Sequence, residues 1–530
     1  MSHRIAVIAL IAGTARLAAA QPEPSPDPAP AAPETDDGAP DPGPNPDTEP
    51  PAPPPEPAPA PDEVVATTAA VPPITPPPPV VDDVGFRFGS YGRVLAGSDL
   101  RGGSPEPVAV VAHGPRIVEK SYLELDFAYR FATRHGHFKT VTTVAWGDRL
   151  FHYTGDFDAQ PALRNFYGEA ELDSGVELWA GSRMYRGDDI YLFDYWPLDD
   201  QNTVGAGAAY GKNKLRVAGH AGVNRLLNDL QYQTHKVPDP AQGSATVTQL
   251  DRQRMVASAT AAYQLLQPHA SNEDELAHQW GVTLKVHAEL AGLPEGTRLR
   301  DDATREKLPR DWGTTIGAEL GAWQLGLGAP GSGIGDKRPA LRRHLNGFAR
   351  WSKGLTAFDE LAAATALDAN LKTYPHASEL VFGLSGGWDA DRFNILIGAL
   401  SRRFIGAGPA TSDPNAGWEY ALDVRPLGKL GGDFYGGADL SFQARFPRGL
   451  NPTAQVAEDA GVVQIAPMIV YSPLGPSAYD RPQIRLVYRA AHLNQGALDL
   501  YVPDDPRHAR PWVHFLGVQA EWWFNSSSYR

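Results

Sequence analysis

Between Ser121 and Arg130 the chain alternates without a break between two kinds of side chain, and this constrains the fold more than any other feature. Leu123, Leu125, Phe127 and Tyr129 fall on one side, and Tyr122, Glu124, Asp126 and Arg130 on the other. Successive strand residues point to opposite faces, so the segment reads as a strand with one apolar and one charged face. Residues 481–489 repeat the pattern, with Ile484, Leu486 and Tyr488 opposite Arg481, Gln483, Arg485 and Arg489. Near the end, Val518, Ala520, Trp522 and Phe524 turn one way, and Gln519, Glu521 and Trp523 the other. A soluble sandwich alternates too. Here, however, each polar face carries several charges, too many for a packed core but natural in a watery lumen. The apolar faces also end in aromatics, as a belt at a membrane interface does.

The N-terminus points the same way. Arg4 precedes the apolar run Ile5 to Ala12, and Ala18, Ala19 and Ala20 lead to Gln21. That is the order of a secretory signal peptide, cleaved near Ala20, with Arg16 as an untidy late charge. Beyond it no stretch of about 18 apolar residues could form a membrane-spanning helix. A mean hydropathy of -0.33 suits a barrel, because only every second strand residue faces lipid. An exported chain without a spanning helix has the bacterial outer membrane as a destination, with its lipid as a partner.

The formal charge of -15 is not spread evenly. Residues 21–83 hold thirteen Asp and Glu with no Lys or Arg, and the leader holds Arg4 and Arg16, so residues 84–530 carry only -4. No basic face stands out, so nucleic acid is not an expected partner. Residues 21–83 are a Pro, Ala and acidic linker with almost nothing to bury, expected to stay extended in the periplasm. They read as a plain solvated linker, or as a spacer toward peptidoglycan or a periplasmic partner. With no cysteine in the chain, neither disulfides nor a thiolate metal site can be proposed, and no cofactor is expected.

From Val84 onward short alternating segments are separated by Gly, Pro, Asp and Asn. The 447 residues from 84 to 530, at roughly 25 per strand with its connection, give about 18 strands, the porin range. The expected fold is therefore all-β, a transmembrane antiparallel barrel over 84–524 with a tail at 525–530.

One family resemblance follows. Trp179-Ala180-Gly181-Ser182-Arg183-Met184-Tyr185, then Asp189-Ile190, Asp194-Tyr195-Trp196, Asp199 and Gly205-Ala206-Gly207, resembles the segment around the constriction loop of maltoporins. Gly89-Ser90-Tyr91-Gly92-Arg93 resembles their first strand. Tyr479-Asp480-Arg481-Pro482-Gln483-Ile484-Arg485 and Gly517-Val518-Gln519-Ala520-Glu521 resemble segments near their end. The resemblance covers residues 84–207 and 476–524.

It implies a homotrimer of 18-stranded barrels, each with an inward-folded constriction loop, for facilitated diffusion of oligosaccharides or disaccharides. It further implies a track of lumen aromatics, here Tyr91, Tyr122, Phe157, Tyr479 and Trp523, with Trp196 where the family has a constriction tyrosine. Phe157 would sit on a loop that reaches a neighbouring subunit, and Phe348 or Trp351 would supply a mid-chain member. The implied polar partners are Arg93, Arg116, Glu124, Arg164, Asp189, Asp194 and Asp199. A family arginine falls on Gly187, beside Arg186, which leaves the sugar preference open. The chemistry is coherent: aromatic faces meet the C–H faces of a pyranose, while carboxylates and guanidinium groups bond its hydroxyls. Each contact must be weak enough for release.

Three other readings compete. A general diffusion porin would have the same shape without a sugar-binding track. An outer-membrane enzyme would need a nucleophile and base. Leu384-Ser385-Gly386-Gly387 is a weak serine context, and His113, His135 and His137 have no evident role. A structural tether would depend on residues 21–80 alone.

Overall fold

The structure, a computed structural model, describes residues 84–147, 150–151, 155, 159–212, 214–228, 230–266, 280–300, 302, 304–324, 343–357, 372–390, 392–406, 416–449, 458–477 and 480–525. The leader, the linker at 21–83, Phe157, Tyr479 and residues 526–530 lie outside the described residues.

The first seven strands are β1 (Gly85–Ser98), β2 (Tyr122–Thr133), β3 (Gly136–Trp146), β4 (Ala162–Leu172), β5 (Val176–Arg186), β6 (Asp200–Lys212) and β7 (Leu215–Asn224). A hairpin of β8 (Tyr232–Asp239) and β9 (Gly243–Asp251) precedes β10 (Arg254–Leu266) and β11 (Trp280–Leu293). A second hairpin, β12 (Gly296–Leu299) with β13 (Arg305–Leu308), precedes β14 (Asp311–Gln324) and β15 (Arg343–Gly354). Then come β16 (Ser378–Ala390), β17 (Phe393–Ile405), β18 (Gly417–Gly431) and β19 (Phe434–Pro447). The last are β20 (Ala460–Tyr471), β21 (Gln483–Leu493) and β22 (Trp512–Phe524).

The two hairpins stand apart, and the other strands form one 18-stranded sheet in which neighbours in sequence pair antiparallel. β7 pairs with β10 and β11 with β14, and β22 returns to β1 through Tyr91↔Trp523 and Arg93↔Glu521. That last ladder closes the sheet, which removes the unpaired edge a membrane could not satisfy. Among the described residues no helix is long and apolar enough to cross a membrane, a fact that says nothing of strands. The closed antiparallel barrel and its strand number agree with the expectation drawn from the alternation.

The faces sort as the alternation requires. On β22, Val518 and Phe524 are exposed, while Gln519 and Glu521 are buried toward the interior. On β2, Phe127 and Tyr129 are exposed, and Glu124 and Asp126 are fully buried. β4 breaks the rule. Between Thr143↔Asn165 and Val144↔Leu163 the register of β3 and β4 shifts, leaving Arg164 as an extra residue. Such a bulge re-aims a side chain, and here Arg164 and Asn165 both turn inward between the exposed Leu163 and Phe166.

Two connections enter the barrel. Residues 99–121, after β1, and residues 187–199, after β5, supply Val108, Val110, Val111, Ile190, Tyr191, Leu192, Phe193, Tyr195 and Leu198 to one buried apolar cluster. The barrel wall answers with Phe348 of β15, Val381 of β16, Leu396 and Leu400 of β17, Val462 of β20 and Leu493 of β21. This is why β20 is apolar on both faces: Val463, Ile465 and Ile469 are exposed, while Val462, Met468 and Val470 are buried beneath the loops. Glycines seat the second loop. A Cβ on Gly383 would stand 2.7 Å from Ile190 Cδ1, and one on Gly398 3.1 Å from Ile190 Cγ2. The first loop is held by polar bonds. Val110 N donates to Gln443 Oε1 (3.0 Å), Ala112 N to Glu419 Oε2 (3.0 Å) and Arg116 N to Leu192 O (2.9 Å).

Candidate functional site: charges and aromatics beneath the inward loops

The inner faces of β1, β2, β4 and β22 converge where the two loops meet. A single 3-10 turn, Tyr191–Phe193, followed by Asp194 in the left-handed region (φ 52°), carries the loop tip. Asp is among the residues that tolerate this conformation. The turn aims Asp194 at Arg93 (3.1 Å) and lays Tyr191 beside Arg116, whose guanidinium carbon is 4.8 Å from the ring centre. Arg93 also pairs with Glu119 (2.8 Å), and Arg116 pairs with Glu119 (2.9 Å) and Glu521 (3.3 Å).

Glu521 is the hub. It lies opposite Arg93 and Gln483 in the sheet, pairs with Arg481 (3.0 Å) and Arg485, and accepts from Tyr91 (3.4 Å) and Tyr191 (3.3 Å) hydroxyls. Its side chain is 1% exposed. A buried carboxylate is tolerable only when paired and bonded in this way.

The loop carboxyls differ sharply. Burial would raise the pKa of Asp194, but Arg116, then Arg93 and Arg186, outweigh it and hold it at about 2. Asp199 is pushed up to about 6, chiefly by burial and further by Asp188, with Lys285 acting against both. Lys285 itself ties Asp188 (2.8 Å) to Glu319 (2.9 Å), joining the loop to β11 and β14.

Seven of the residues singled out from the sequence gather in the first cluster. Tyr91 and Tyr122 lie 6.0 Å apart between ring centres. Tyr122 donates to Glu124 (2.5 Å), and the bulged Arg164 reaches both of them. Arg93, Arg116 and Asp194 complete the set, with Arg93 5.4 Å from the Tyr122 ring centre. Trp523 joins at the edge, with Arg481 5.6 Å from its ring centre. Trp196 lies deeper: it is 4% exposed, with Arg186 3.8 Å over its ring. Arg186 in turn pairs with Asp200 (2.8 Å). Asp199 sits instead with Asp188 and Lys285, and Asp189 is buried in the same loop. Phe348 points inward but into the loop core, and Trp351 is exposed on the outer face. Phe157 and Tyr479 cannot be placed, since neither is among the described residues. His113 stacks on Tyr195 (3.7 Å between ring centres), and Ser385 is buried on β16.

Reading the sequence for a site missed Glu521, Arg481 and Arg485, although alternation turns all three inward beside chosen residues. It also missed a second aromatic group, Tyr167, Trp179 and Tyr185, on β4 and β5. Arg183 stands 4.4 Å over Trp179 and 4.8 Å over Tyr167, and Trp179 Nε1 donates to Tyr185 (2.7 Å). Lys285 and Glu319 lie outside the segments, 84–207 and 476–524, in which the resemblance was read from the sequence, and nothing in their spacing singles them out. Among the described residues no group of three or more His, Asp or Glu is arranged to hold a metal ion.

Comparison with known proteins bears on this arrangement. Residues 86–298 match the family model described as LamB porin. A comparison with curated proteins finds no match. Among solved structures the chain is similar to OccAB1 of Acinetobacter baumannii, at 9% identity over 84% of this chain and 97% of that chain, with a TM-score of 0.40. It is similar to OccK3 (OpdO) of Pseudomonas aeruginosa at 12% identity over 84% and 96%, with a TM-score of 0.40. It is also similar to Wzi of Escherichia coli, an outer-membrane protein involved in group 1 capsule assembly and a carbohydrate-binding β-barrel. That likeness is at 10% identity over 82% and 83%, with a TM-score of 0.37. The residues that match the LamB porin model run from β1 into β12 of the closed 18-stranded barrel and include the inward loop after β5.

Proposed function

We propose that the barrel is a passive channel for facilitated diffusion of sugars, of the maltooligosaccharide type or related, working as a homotrimer. The observation that carries this is the cluster of Tyr91 and Tyr122 with Arg93, Arg164, Glu124 and Asp194 beside the loop tip. Aromatic faces there can take the C–H face of a pyranose, and the charges around them its hydroxyls. Trp196, Trp523, Arg116, Asp189 and Asp199 extend the same lining toward the loop and β22, and Phe157 and Tyr479 are proposed as further members. The trimer rests on resemblance to the family. The leader at 1–20 is proposed to be removed, and residues 21–83 to be a periplasmic linker that can reach peptidoglycan.

One observation favours a second reading, a general diffusion porin. Tyr91 and Trp196 are each 4% exposed, and a ring so covered offers no face to a sugar unless its neighbours move. Conductance of the purified protein in a planar bilayer, titrated with maltotriose and with sucrose, separates the two. Saturable closure by a saccharide, weakened by Tyr122→Ala, supports the sugar channel. Steady current at every saccharide concentration leaves the general porin.

A further inference from the structure

The outer wall of the barrel carries a charge pattern of its own. On the outward positions of β14 to β19, which are every second residue, the described chain holds no Asp or Glu. Most of these positions are apolar, as a lipid-facing surface requires. In the halves of these strands nearest the inward loops, two outward positions are cationic. Lys353 of β15 is exposed between the buried Ser352 and Gly354, and Arg403 of β17 is half-buried between the buried Arg402 and Phe404. Neighbouring strands alternate in direction around the sheet, so β15 and β17 run the same way as β1 and β5. Both cations therefore lie at the end of the barrel from which the inward loops leave.

Strand register sets Arg403 in a row of aromatics. Trp351↔Leu380, Leu380↔Arg403, Arg403↔Trp418 and Trp418↔Phe446 are successive cross-strand partners from β15 to β19. The Arg403 guanidinium carbon is 5.7 Å from the Trp418 ring centre. Tyr420 stacks beside Trp418 at 6.0 Å, and Phe446 meets Tyr420 edge-on at 5.7 Å. Lys353 stands one step nearer the rim, opposite Ser378. Only β16 separates it from β17, a spacing of about 10 Å between the outer two strands. The adjacent arginine shows what Arg403 lacks. Arg402 points inward and pairs with Glu379 and Glu419 (3.3 Å), whereas neither Arg403 nor Lys353 forms an ion pair among the described residues.

A belt of outward aromatics marks the level at which lipid tails give way to headgroups. A cation at that level with no carboxylate beside it takes its counter-charge from the headgroup layer. We infer that the outward rim of β15 to β18, centred on Arg403 and Lys353, binds the phosphates of a phosphorylated glycolipid in the outer leaflet. Arg403 offers a planar fork that matches a phosphate, and Trp418 lies against that fork. Lys353 adds a point charge within reach of the same headgroup. The long stems of both can lie along the apolar wall while their charged heads stay at the rim, and Trp351, 41% exposed, offers its ring to an acyl chain. The loop-bearing end faces outward if residues 21–83 lie in the periplasm, as proposed above, because β1 and β22 carry the chain ends to the opposite rim. The inference does not depend on which solute passes through the barrel.

The test is titration of the purified full-length protein in detergent with lipid A, a diphosphorylated disaccharide glycolipid, with bound lipid counted by native mass spectrometry. Lys353→Gln and Arg403→Gln are each expected to weaken binding about fivefold, and the double variant about thirtyfold, the usual worth of one and two cations at a charged lipid surface. Arg403→Lys keeps the charge without the fork and should fall between wild type and Arg403→Gln. Single-channel conductance should not change, because neither residue faces the lumen. Circular dichroism identifies any variant that loses its barrel, and either single variant carries the test if the other misfolds. The proposal is overturned if wild type and the double variant bind alike, if removing the phosphates from the lipid leaves binding unchanged, or if phosphatidylglycerol binds as tightly. It is also overturned if the double variant changes the mass of the protein assembly but not its lipid binding, which would make this face a contact between copies of the chain.

Discussion

Glu521 carries the counter-charge for Arg116, Arg481 and Arg485, all almost wholly buried. Removing one partner from such a group leaves the others charged and unsolvated, which typically costs about 3–5 kcal/mol. Glu521→Gln is therefore expected to lower the unfolding midpoint clearly, read by circular dichroism during heating in detergent. Asp194→Asn should cost less, because its side chain is 30% exposed and water can reach Arg93. Asp199 gives a pH signature. With its pKa raised from 3.8 to about 6, the folded protein keeps this proton where an unfolded chain has lost it. Its effect therefore favours the folded state on the acid side and is lost as pH rises through about 6. Over the same window a negative charge appears beside Asp188 and Asp200. Cation selectivity in reversal-potential measurements should rise as pH passes about 6, and Asp199→Asn should flatten that step. At this scale the sequence was readable where alternation and family segments coincide, as at Tyr122, Glu124 and Trp523. It was not readable where partners come from loops, as for Glu119 and Tyr191, because strand parity says nothing about how a loop folds back.

At the scale of elements, the loop of residues 187–199 is held by shape. Ile190 fills the space left by the missing side chains of Gly383 and Gly398 on the far wall. Filling a well-packed space usually costs about 1–3 kcal/mol and is relieved by whatever can move. The loop is freer to move than the sheet, so Gly398→Val should push it from its seat and raise single-channel conductance. An unchanged conductance would show that Ile190 repacks in place. The strands themselves were legible, since β2, β21 and β22 sort their residues as alternation requires. The hairpins β8–β9 and β12–β13 were not: they alternate as well, but carry few large apolar residues for lipid. The strand number still came out right because the average spacing absorbed these hairpins into connections. The apolar inner face of β20 was likewise hidden, because its reason lies in loops far away in sequence.

At the scale of the whole molecule, the interior is lopsided: the apolar residues of the two loops pack on β15–β18, β20 and β21, while Lys285 of β11 ties the second loop by charge to the other side. Residues 21–83, proposed as a linker, precede the barrel in sequence, so deleting residues 21–80 is expected to leave conductance, and the saccharide block proposed above, intact. A loss of either would show that the acidic tract acts on the channel. The closed sheet adds one consequence through the bulge in β4. Beyond the bulge, odd-numbered residues such as Asn165, Tyr167 and Glu169 face inward; before it, Arg164 does. The strand is thus written in two phases joined at one residue. Deleting a residue elsewhere in β4 would turn part of it inside out and present Glu169 or Glu171 to lipid, whereas deleting Arg164 would only merge the phases. The wall has a seam, and that seam is where its length can change without rewriting which side of the membrane protein each neighbour sees.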